Sequence, residues 1–516
     1  MRFQRRAVLT TASAAVAALL VGGSAAGSVN HTAVAAGHAV PVVGHVDLKM
    51  VRIVKVSTLP QTTSGVKKHI PGALTRSGKP TYKTLPSRPT TGSKPVPNSA
   101  ASPLVLTHAK FNGIGLATAD CGCQPPDVNA AVGPNNIVES VNLEYAVYNK
   151  TGTLLGRTSL NSFFGTGDGL SDPRVLYDST WNRWTLTLTD TSSPSLWMAF
   201  SQSGDPQGGW WIYHVGFPFA AGSIVDYPMT GMDDTSITMT SNNFDPSSSY
   251  LNSTAFTFPK ARVYNGFGWG ASLFGVNYNT APAVVAGIPT QQTSVQYLLS
   301  PDDANNLMYV YKITNRAENP VLTFKGSIAY NWAAPPRRVN QPGTTQTLDP
   351  LDGRIDWQPV QWNGNVWFAH GSAVGSFPAV NWGFVNTANM SIHFSTAFHS
   401  ATSDDFNPSL GVAINPNTNV VDTIYLNWAY TDTPNSIPTT DVAASTNGVA
   451  HVAGAPFGPV GSSTSEFRFG DYSSVAINPV VDAGCSFIGS NAVVANEYFD
   501  ASGNWATRIA DVGRTC

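Results

Sequence analysis

Four aspartates occupy the same place in four similar segments of the sequence, and they are the residues best suited to chemistry. Each opens its segment: Asp127, Asp172, Asp226 and Asp471. Carboxylates brought together can bind a cation such as Ca²⁺ through oxygen ligands, or divide the acid and base roles at a glycosidic bond. Alternatively, each accepts N–H hydrogen bonds within its own turn and is structural. A residue repeated in every unit favours this last interpretation.

The neighbours of these aspartates extend the candidate site. Arg174 could pair with one of the aspartates or form a salt bridge between repeats, and each of Tyr227 and Tyr472 could pack against the next repeat or form a platform for a sugar. The candidate catalytic residues are Asp172, Asp226 and Glu497, with Glu497 as a general acid. The candidate ligand-binding or channel residues are Asp127, Asp172, Arg174, Asp226, Tyr227, Asp471 and Tyr472.

Motifs of several enzyme classes do not occur in the sequence. There is no H-E-x-x-H of metalloproteases, no G-x-S-x-G elbow, no Walker loop and no G-x-G-x-x-G turn. The Asp-box of sialidases, S-x-D-x-G-x-x-W, does not occur either. The sequence therefore leans away from an enzyme without deciding the question. We expect that the protein requires no cofactor. Ca²⁺ is the one ion that the carboxylates could bind.

Short strands must position these residues. The composition is 12% charged and 42% hydrophobic, with 46 Gly and 36 Pro, and runs such as WTLTLT from Trp184 alternate with a period of two. A loose unit recurs, as in SDPRVLYDSTWNRW from Ser171, VDYPMTGMDD from Val225 and GDYSSVAINP from Gly470. Seven units of roughly 59 residues predict a single seven-bladed β-propeller. Six blades, or an array of β-sandwiches, are the alternatives.

Several of these motifs resemble a family of secreted bacterial β-propeller proteins of unassigned biochemical function. The resemblance rests on PPDVNAAVGP, DPRVLYDSTWNRW, VDYP, QPGTTQTLD with RIDWQP, GDYSSVAINP, and CSFIGSNAVVANEY, which contains the NEY motif, and covers the chain from about residue 123 to its last residue. It implies a secreted propeller and supplies no reaction.

The N-terminal part differs from the rest. Residues 1–35 read as an export signal, with Arg5-Arg6 typical of a twin-arginine signal. Residues 36–104 read as a basic, disordered linker, and residues 105–516 as the propeller. Residues 1–103 carry thirteen Lys and Arg and one acid, a net charge of +12, whereas the remainder carries −14. We expect the basic tail to contact an anionic wall polymer or lipid, or to be a solvated spacer.

Four cysteines are too few for a disulfide scaffold. In an exported protein an oxidised pair is reasonable, and we predict a bond between Cys485 and Cys516 that pins the terminal strand. Cys121 and Cys123 could bond to each other or compete for Cys516.

Three functions fit the sequence. The first is a secreted or envelope-associated monomer that binds a glycan, an envelope polymer or a protein without catalysis. The second is a carbohydrate-active hydrolase or lyase that uses the channel carboxylates. The third is a structural envelope protein. A net charge of −2 argues against nucleic acid as a partner.

Overall fold

The structure, a computed structural model, describes residues 37–62, 92–96, 106–119, 122–336, 338–481 and 488–513. Within these ranges the helices are short: α1 (Leu160–Phe164), α2 (Lys260–Val263) and two single 3-10 turns (Val56–Thr58 and Thr433–Asn435). The predicted all-β class is confirmed. No helix of the described chain is long and apolar enough to cross a membrane.

Three strands precede the repeating part of the chain. They are β1 (His38–Ala39), β2 (Val42–Lys55) and β3 (Leu106–Gly115). Each adds to a sheet that is built mainly by residues much later in the sequence.

Units I to III are four-stranded antiparallel meanders in which consecutive strands pair. Unit I comprises β4 (Asn129–Val132), β5 (Asn136–Val141), β6 (Glu144–Asn149) and β7 (Leu154–Ser159); unit II, β8 (Leu170–Asp178), β9 (Arg183–Asp190), β10 (Ser195–Ser201) and β11 (Gly209–Gly216); unit III, β12 (Ile224–Met232), β13 (Ser236–Phe244), β14 (Tyr250–Pro259) and β15 (Trp269–Val276).

Units IV to VII repeat this pattern, and β17 pairs with unit V in parallel. Unit IV comprises β16 (Ala281–Pro282), β18 (Gln296–Asp302), β19 (Leu307–Thr314) and β20 (Val321–Ala329); unit V, β17 (Val284–Val285), β21 (Val360–Trp362), β22 (Asn365–Val374), β23 (Phe377–Asn386) and β24 (Ser391–Ala397); unit VI, β25 (Asp404–Asn415), β26 (Val420–Asp432), β27 (Ile437–Thr446) and β28 (Ala455–Pro456); unit VII, β29 (Ser474–Ile477), β30 (Asn491–Phe499), β31 (Trp505–Gly513) and β3.

The first strands of the units follow one another in a closed ring. Strand β4 contacts β8, β8 contacts β12, and β12 contacts β16 and β17. Strand β17 pairs with β21, β21 contacts β25, β25 contacts β29, and β29 returns to β4. The upper mouth of this ring is the end where the first strands begin, and the lower mouth is the end where they finish.

The hydrophobic core lies between neighbouring units. Strand β9 is buried from Trp184 to Asp190 on both faces, because each sheet packs against a neighbour on either side. Trp184, Trp210, Trp382, Trp428 and Trp505 are fully buried in these interfaces. A strand that is covered on both sides needs apolar or small Thr and Ser side chains at every position, which explains runs such as WTLTLT.

The first part of the expected linker is ordered, which corrects the prediction of disorder from residue 36. Strand β2 pairs with β11 of unit II on one edge and with β15 of unit III on the other, and so makes one nine-stranded sheet from two units. Val46 and Leu48 of β2 are buried among aromatic and aliphatic side chains of both units. Strand β1 pairs with β20. Their backbone groups complete sheet edges that would otherwise be unpaired.

Of the four cysteines, Cys123 lies among the described residues and is disulfide-bonded. Its partner lies outside the described ranges, as do both members of the predicted pair Cys485 and Cys516. That pairing stays a prediction.

Strand β2 gives a test of the corrected N-terminal region. Leu48 is 1% exposed, so Leu48→Ala should lower the free energy of unfolding by about 2–5 kcal/mol through lost burial and the cavity left behind. Ile53, on the outer face of the same strand, is 58% exposed, and Ile53→Ala should change it by less than about 0.5 kcal/mol. Equilibrium denaturation of both variants measures the difference. Equal effects would show that β2 does not contribute to the folded ring.

Candidate functional site

A repeated bulge shapes the upper mouth. In β8, β12 and β25 the pairing with the next strand skips two residues, and the first of the two has a positive φ and precedes a proline. These residues are Asp172 (φ 58°), Tyr227 (φ 54°) and Asn407 (φ 53°). Asp127, two residues before β4, has φ 55°. Asp and Asn tolerate this region better than most side chains, and a bulge redirects the side chain beside a strand.

The bulge shows that Asp226 is not equivalent to Asp172, which corrects the prediction from the sequence. The position in unit III that matches Asp172 is held by Tyr227, because both directly precede the proline of the bulge. Asp226 lies one residue earlier, is half-buried and pairs in register with Asn242. The structure therefore brings together Asp127, Asp172 and Asp471, without Asp226 as an equivalent member.

Asn142, which follows β5 of unit I, joins two of these aspartates. Its Nδ2 donates to Asp127 Oδ2 at 2.6 Å, and its Oδ1 accepts from the backbone N–H of Asp172 at 2.9 Å. The other oxygen of Asp127 accepts from the backbone N–H of Asp471 at 2.8 Å. Units VII, I and II are thereby connected by hydrogen bonds to one carboxylate and one amide.

The aromatic ring of Tyr472 closes this network. Its hydroxyl donates to Asp172 Oδ2 at 2.6 Å, from unit VII to unit II. The guanidinium carbon of Arg174 lies 3.4 Å from the centre of the ring, and its Nη1 donates to the carbonyl oxygen of Asp356 at 3.1 Å. Arg174 is 2% exposed. It forms no ion pair with a carboxylate among the described residues, which corrects the predicted salt bridge; a cation–π contact takes that place.

The segment that precedes β21 covers the upper mouth. The hydroxyl of Tyr227 donates to the carbonyl oxygen of Ile355, and the Arg354 guanidinium lies 5.2 Å from the centre of the Tyr227 ring. Arg354 binds both carboxylate oxygens of Asp352, at 2.6 and 2.8 Å. Asp356 is 1% exposed, and burial raises the pKa of its carboxyl well above the usual value.

Unit VII contributes two further carboxyls. Arg468 forms an ion pair with Asp471, and Glu497 Oε2 accepts from the backbone N–H of Gly470 at 2.5 Å. Glu497 is 0% exposed, and its Oε1 has no hydrogen-bond partner in the described part of the chain. Burial raises the pKa of Glu497 well above its usual value. Burial, together with the charges of Asp471 and Asp172, raises the pKa of Asp127 well above its usual value.

This arrangement suits joining the units better than catalysis. Asp127 and Asp172 are 4% and 8% exposed, and their oxygens accept hydrogen bonds from other units. A glycosidase needs two carboxyls that flank a substrate in an open cleft. Among the described residues no group of three or more His, Cys, Asp or Glu side chains could hold a metal ion. Ca²⁺ binding stays a prediction.

A cavity of about 340 Å³ lies at the lower mouth, where the first strands end. Its inner part is buried and includes Leu176, Met232 and Trp357, whereas Pro289 and Asn419 at its rim are exposed. The cavity therefore opens to the surface on the side away from the aspartates.

Aromatic and polar side chains share this cavity. Tyr177, Trp357 and Trp362 contribute rings, and Asp178 and Gln358 contribute polar groups. Asp178 is neutralised by Lys260, whose Nζ lies 2.5 Å from its Oδ2. Gln358 is 6% exposed, and its side chain makes no hydrogen bond to another described residue. An amide in this position is available to a ligand.

Sequence reasoning missed Asn142, Gln358 and the pair Asp352–Arg354. Asn142 follows a strand instead of opening a unit, so the repeat does not mark it. Gln358 and Arg354 belong to the segment RIDWQP, a motif of the family resemblance to which the sequence assigns no site residue.

No known sequence family and no curated protein sequence matches the chain. Solved structures with partial similarity include an α-L-arabinofuranosidase from Podospora anserina in complex with cellotriose, 11% identical over 80% of this chain and 99% of that chain, with a TM-score of 0.34. An exo-β-1,3-galactanase from Phanerochaete chrysosporium is 10% identical over 79% and 99%, with a TM-score of 0.31. A mutant of Trypanosoma rangeli sialidase is 10% identical over 70% and 56%, with a TM-score of 0.33. Scores of this size assign neither a family nor an activity.

The raised pKa of Glu497 predicts how stability depends on pH. An acid whose pKa is raised by folding stabilises the protein below its unfolded pKa, here about 4.5, and this contribution is lost as pH rises toward the folded value. Glu497→Gln keeps an acceptor for Gly470 and does not titrate. Its free energy of unfolding, relative to wild type, should therefore rise between pH 4 and pH 8.

Denaturant titrations across this pH range measure that difference. The control is Glu318→Gln, at an exposed residue, which should leave the pH profile of wild type unchanged. A Glu497→Gln profile parallel to wild type would mean that the buried carboxyl titrates normally.

Proposed function

We propose that the seven units are the blades of one β-propeller and that the protein is an exported, non-catalytic module that binds a glycan in the cavity at its lower mouth. The closed order of first strands supports the propeller. The cavity supplies a concave site with aromatic rings and a few polar groups, which is the usual composition of a small-ligand site.

The assignment of the glycan site to the lower mouth rests on Gln358. Gln358 lines the cavity, is 6% exposed and makes no side-chain hydrogen bond to another described residue. A sugar hydroxyl can both donate to the amide oxygen and accept from the amide nitrogen. Tyr177 and the two tryptophans offer apolar surface for the C–H face of a sugar ring.

Export and envelope contact belong to the same proposal. The Arg5-Arg6 signal supports export, and the basic N-terminal residues support attraction to an anionic wall polymer or lipid. A secreted or envelope-associated glycan binder uses both features: the tail would keep the cavity near the polymer that it recognises.

A carbohydrate-active enzyme is the second candidate, and one observation favours it. Asp303, in the turn between β18 and β19, is 2% exposed, and neither of its carboxylate oxygens has a hydrogen-bond partner within the ranges that the structure describes. Burial and the charges of Asp352 and Asp302 raise its pKa to about 6. A carboxyl with a raised pKa near a second carboxylate, Asp352, which is ion-paired with Arg354, is the kind of pair that glycoside hydrolysis uses.

Binding to a glycan array, followed by isothermal titration with the best oligosaccharide, tests the first function. Gln358→Leu removes the amide at nearly equal volume, and we expect its Kd to rise by at least about tenfold, because a sugar hydroxyl loses its buried partner. The matched control is Gln202→Leu, at a half-buried glutamine in the hairpin between β10 and β11, which should bind like wild type.

The same oligosaccharides decide between the two functions when new reducing ends are measured after long incubation. If the protein only binds glycans, no new reducing ends should form. Hydrolysis that Asp303→Asn abolishes, together with unchanged binding by Gln358→Leu, would overturn it in favour of the enzyme.

A further inference from the structure

The described segments of the N-terminal part lie against the edges of several units. Strand β1 extends unit IV, β2 joins units III and II, and β3 is the edge of unit VII. Between them, the backbone N–H of Thr62 donates to the carbonyl oxygen of Arg157 in unit I at 2.9 Å. Residues 92–96 lie at units V and VI, where the backbone N–H of Lys94 donates to Ala401 at 2.7 Å.

Lys94 enters a closed pocket at this boundary. Its Nζ lies 2.7 Å from Asp405 Oδ2, and both side chains are 0% exposed. The centres of the Phe398 and Phe377 rings lie 4.7 and 5.6 Å from the amine. The amine also donates to the carbonyl oxygen of Ser403 and lies 3.3 Å from its hydroxyl, so one carboxylate, one Ser residue and two aromatic rings hold it in place.

The two oxygens of Asp405 have different partners. Oδ1 accepts from the backbone N–H of His399 at 2.7 Å and from Trp428 Nε1 at 2.8 Å. Oδ2 faces the amine and accepts from the Ser403 hydroxyl at 2.6 Å. Two N–H donors on one oxygen stabilise the negative charge that develops there when a nucleophile adds to the carboxyl carbon.

We propose that Lys94 and Asp405 condense to form an intramolecular isopeptide bond. Nζ first passes a proton to Oδ2 across their hydrogen bond and then adds to Cγ, while the charge on Oδ1 is stabilised by His399 and Trp428. A second proton passes from Nζ to Oδ2, which leaves as water. One N–C bond forms and one C–O bond breaks, and no oxidant, nucleotide or metal is consumed.

The fold supplies the driving force. Groups held in reactive contact can behave as if present at about 10⁵–10⁸ M. A buried ion pair also pays for the loss of water around both charges, and the neutral amide removes both charges.

A second buried pair gives an internal control. Lys260 Nζ lies 2.5 Å from Asp178 Oδ2, and both side chains are 0% exposed. The difference lies in the donors: Asp178 Oδ1 also accepts from two N–H groups, those of Thr180 and Trp181, but at the longer distances of 3.1 and 3.2 Å, and its Oδ2 accepts from the Tyr264 hydroxyl at 2.9 Å. No aromatic ring lies over the Lys260 amine among the described residues. This pair should remain ionic.

The bond would fasten the N-terminal segment to unit VI beside its boundary with unit V. Because strands β1 and β2 are otherwise held by hydrogen bonds and packing, a covalent link further along the segment would limit its release from the ring under force or during local unfolding. Such a link suits a protein that works outside the cell.

Peptide mapping of the reduced, purified protein tests the proposal. The peptide that contains Lys94 should be joined to the peptide that contains Asp405, and the joined species should be lighter than their sum by one water molecule. The peptides that contain Lys260 and Asp178 should be separate. Separate Lys94 and Asp405 peptides after prolonged incubation of the folded protein would overturn the proposal.

Two variants test the mechanism. Even if one of these variants fails to fold, the wild-type peptide map still shows whether the isopeptide bond forms. Lys94→Arg keeps the charge, cannot form this amide and should give separate peptides. Trp428→Phe removes one donor to Oδ1 and should slow joining by about 100-fold. Joining at the wild-type rate in Trp428→Phe would overturn the role given to Oδ1.

Discussion

The hydrogen bonds of Asn142, Asp127 and Asp172 are the constraint on which the ring depends. They connect unit VII, which contains the last strands of the chain, to units I and II. A ring of sheets must join its last unit to its first, and packing between sheets is not directional. Hydrogen bonds to buried carboxylates are directional and strong. The positive φ of Asp127 and Asp172 orients their carboxylates toward these partners, at some cost in backbone strain.

This interpretation gives the upper mouth a structural role. Arg354 and Arg468 neutralise the charges of Asp352 and Asp471, and the positive charge of Arg174 lies against the face of the Tyr472 ring. Burial raises the pKa values of Glu497 and Asp127, and the nearby charge of Arg468 offsets this only in part. The proposed glycan site lies at the opposite mouth.

The all-β class, the recurring units and the convergence of Asp127, Asp172 and Asp471 could be predicted from the sequence. They depend on local patterns, namely strands of period two and an aspartate at the start of a unit. Asp226 was misplaced by one residue because only the bulge shows that Tyr227 precedes the equivalent proline. The contact between Lys94 and Asp405 could not be predicted, since the two residues are far apart in the sequence.

The N-terminal strand β2 was missed for a different physical reason. Its surroundings in the sequence are rich in Pro, Ser, Thr and Lys, and that average composition suggested disorder. The alternation of Val46 and Leu48 was present but short. A strand that completes the edges of two existing sheets needs only a few buried side chains, because its hydrogen-bond partners are already in place.

The upper mouth joins the units of the ring, and we propose that the lower mouth binds the glycan. The most direct measurement is a crystal structure of the protein with an oligosaccharide that it binds. The account predicts electron density for the sugar in the cavity, within hydrogen-bond distance of the Gln358 amide, and no displacement of the network around Asp172. Sugar bound at the upper mouth beside Asp303 and Asp352, with the lower cavity empty, would contradict it.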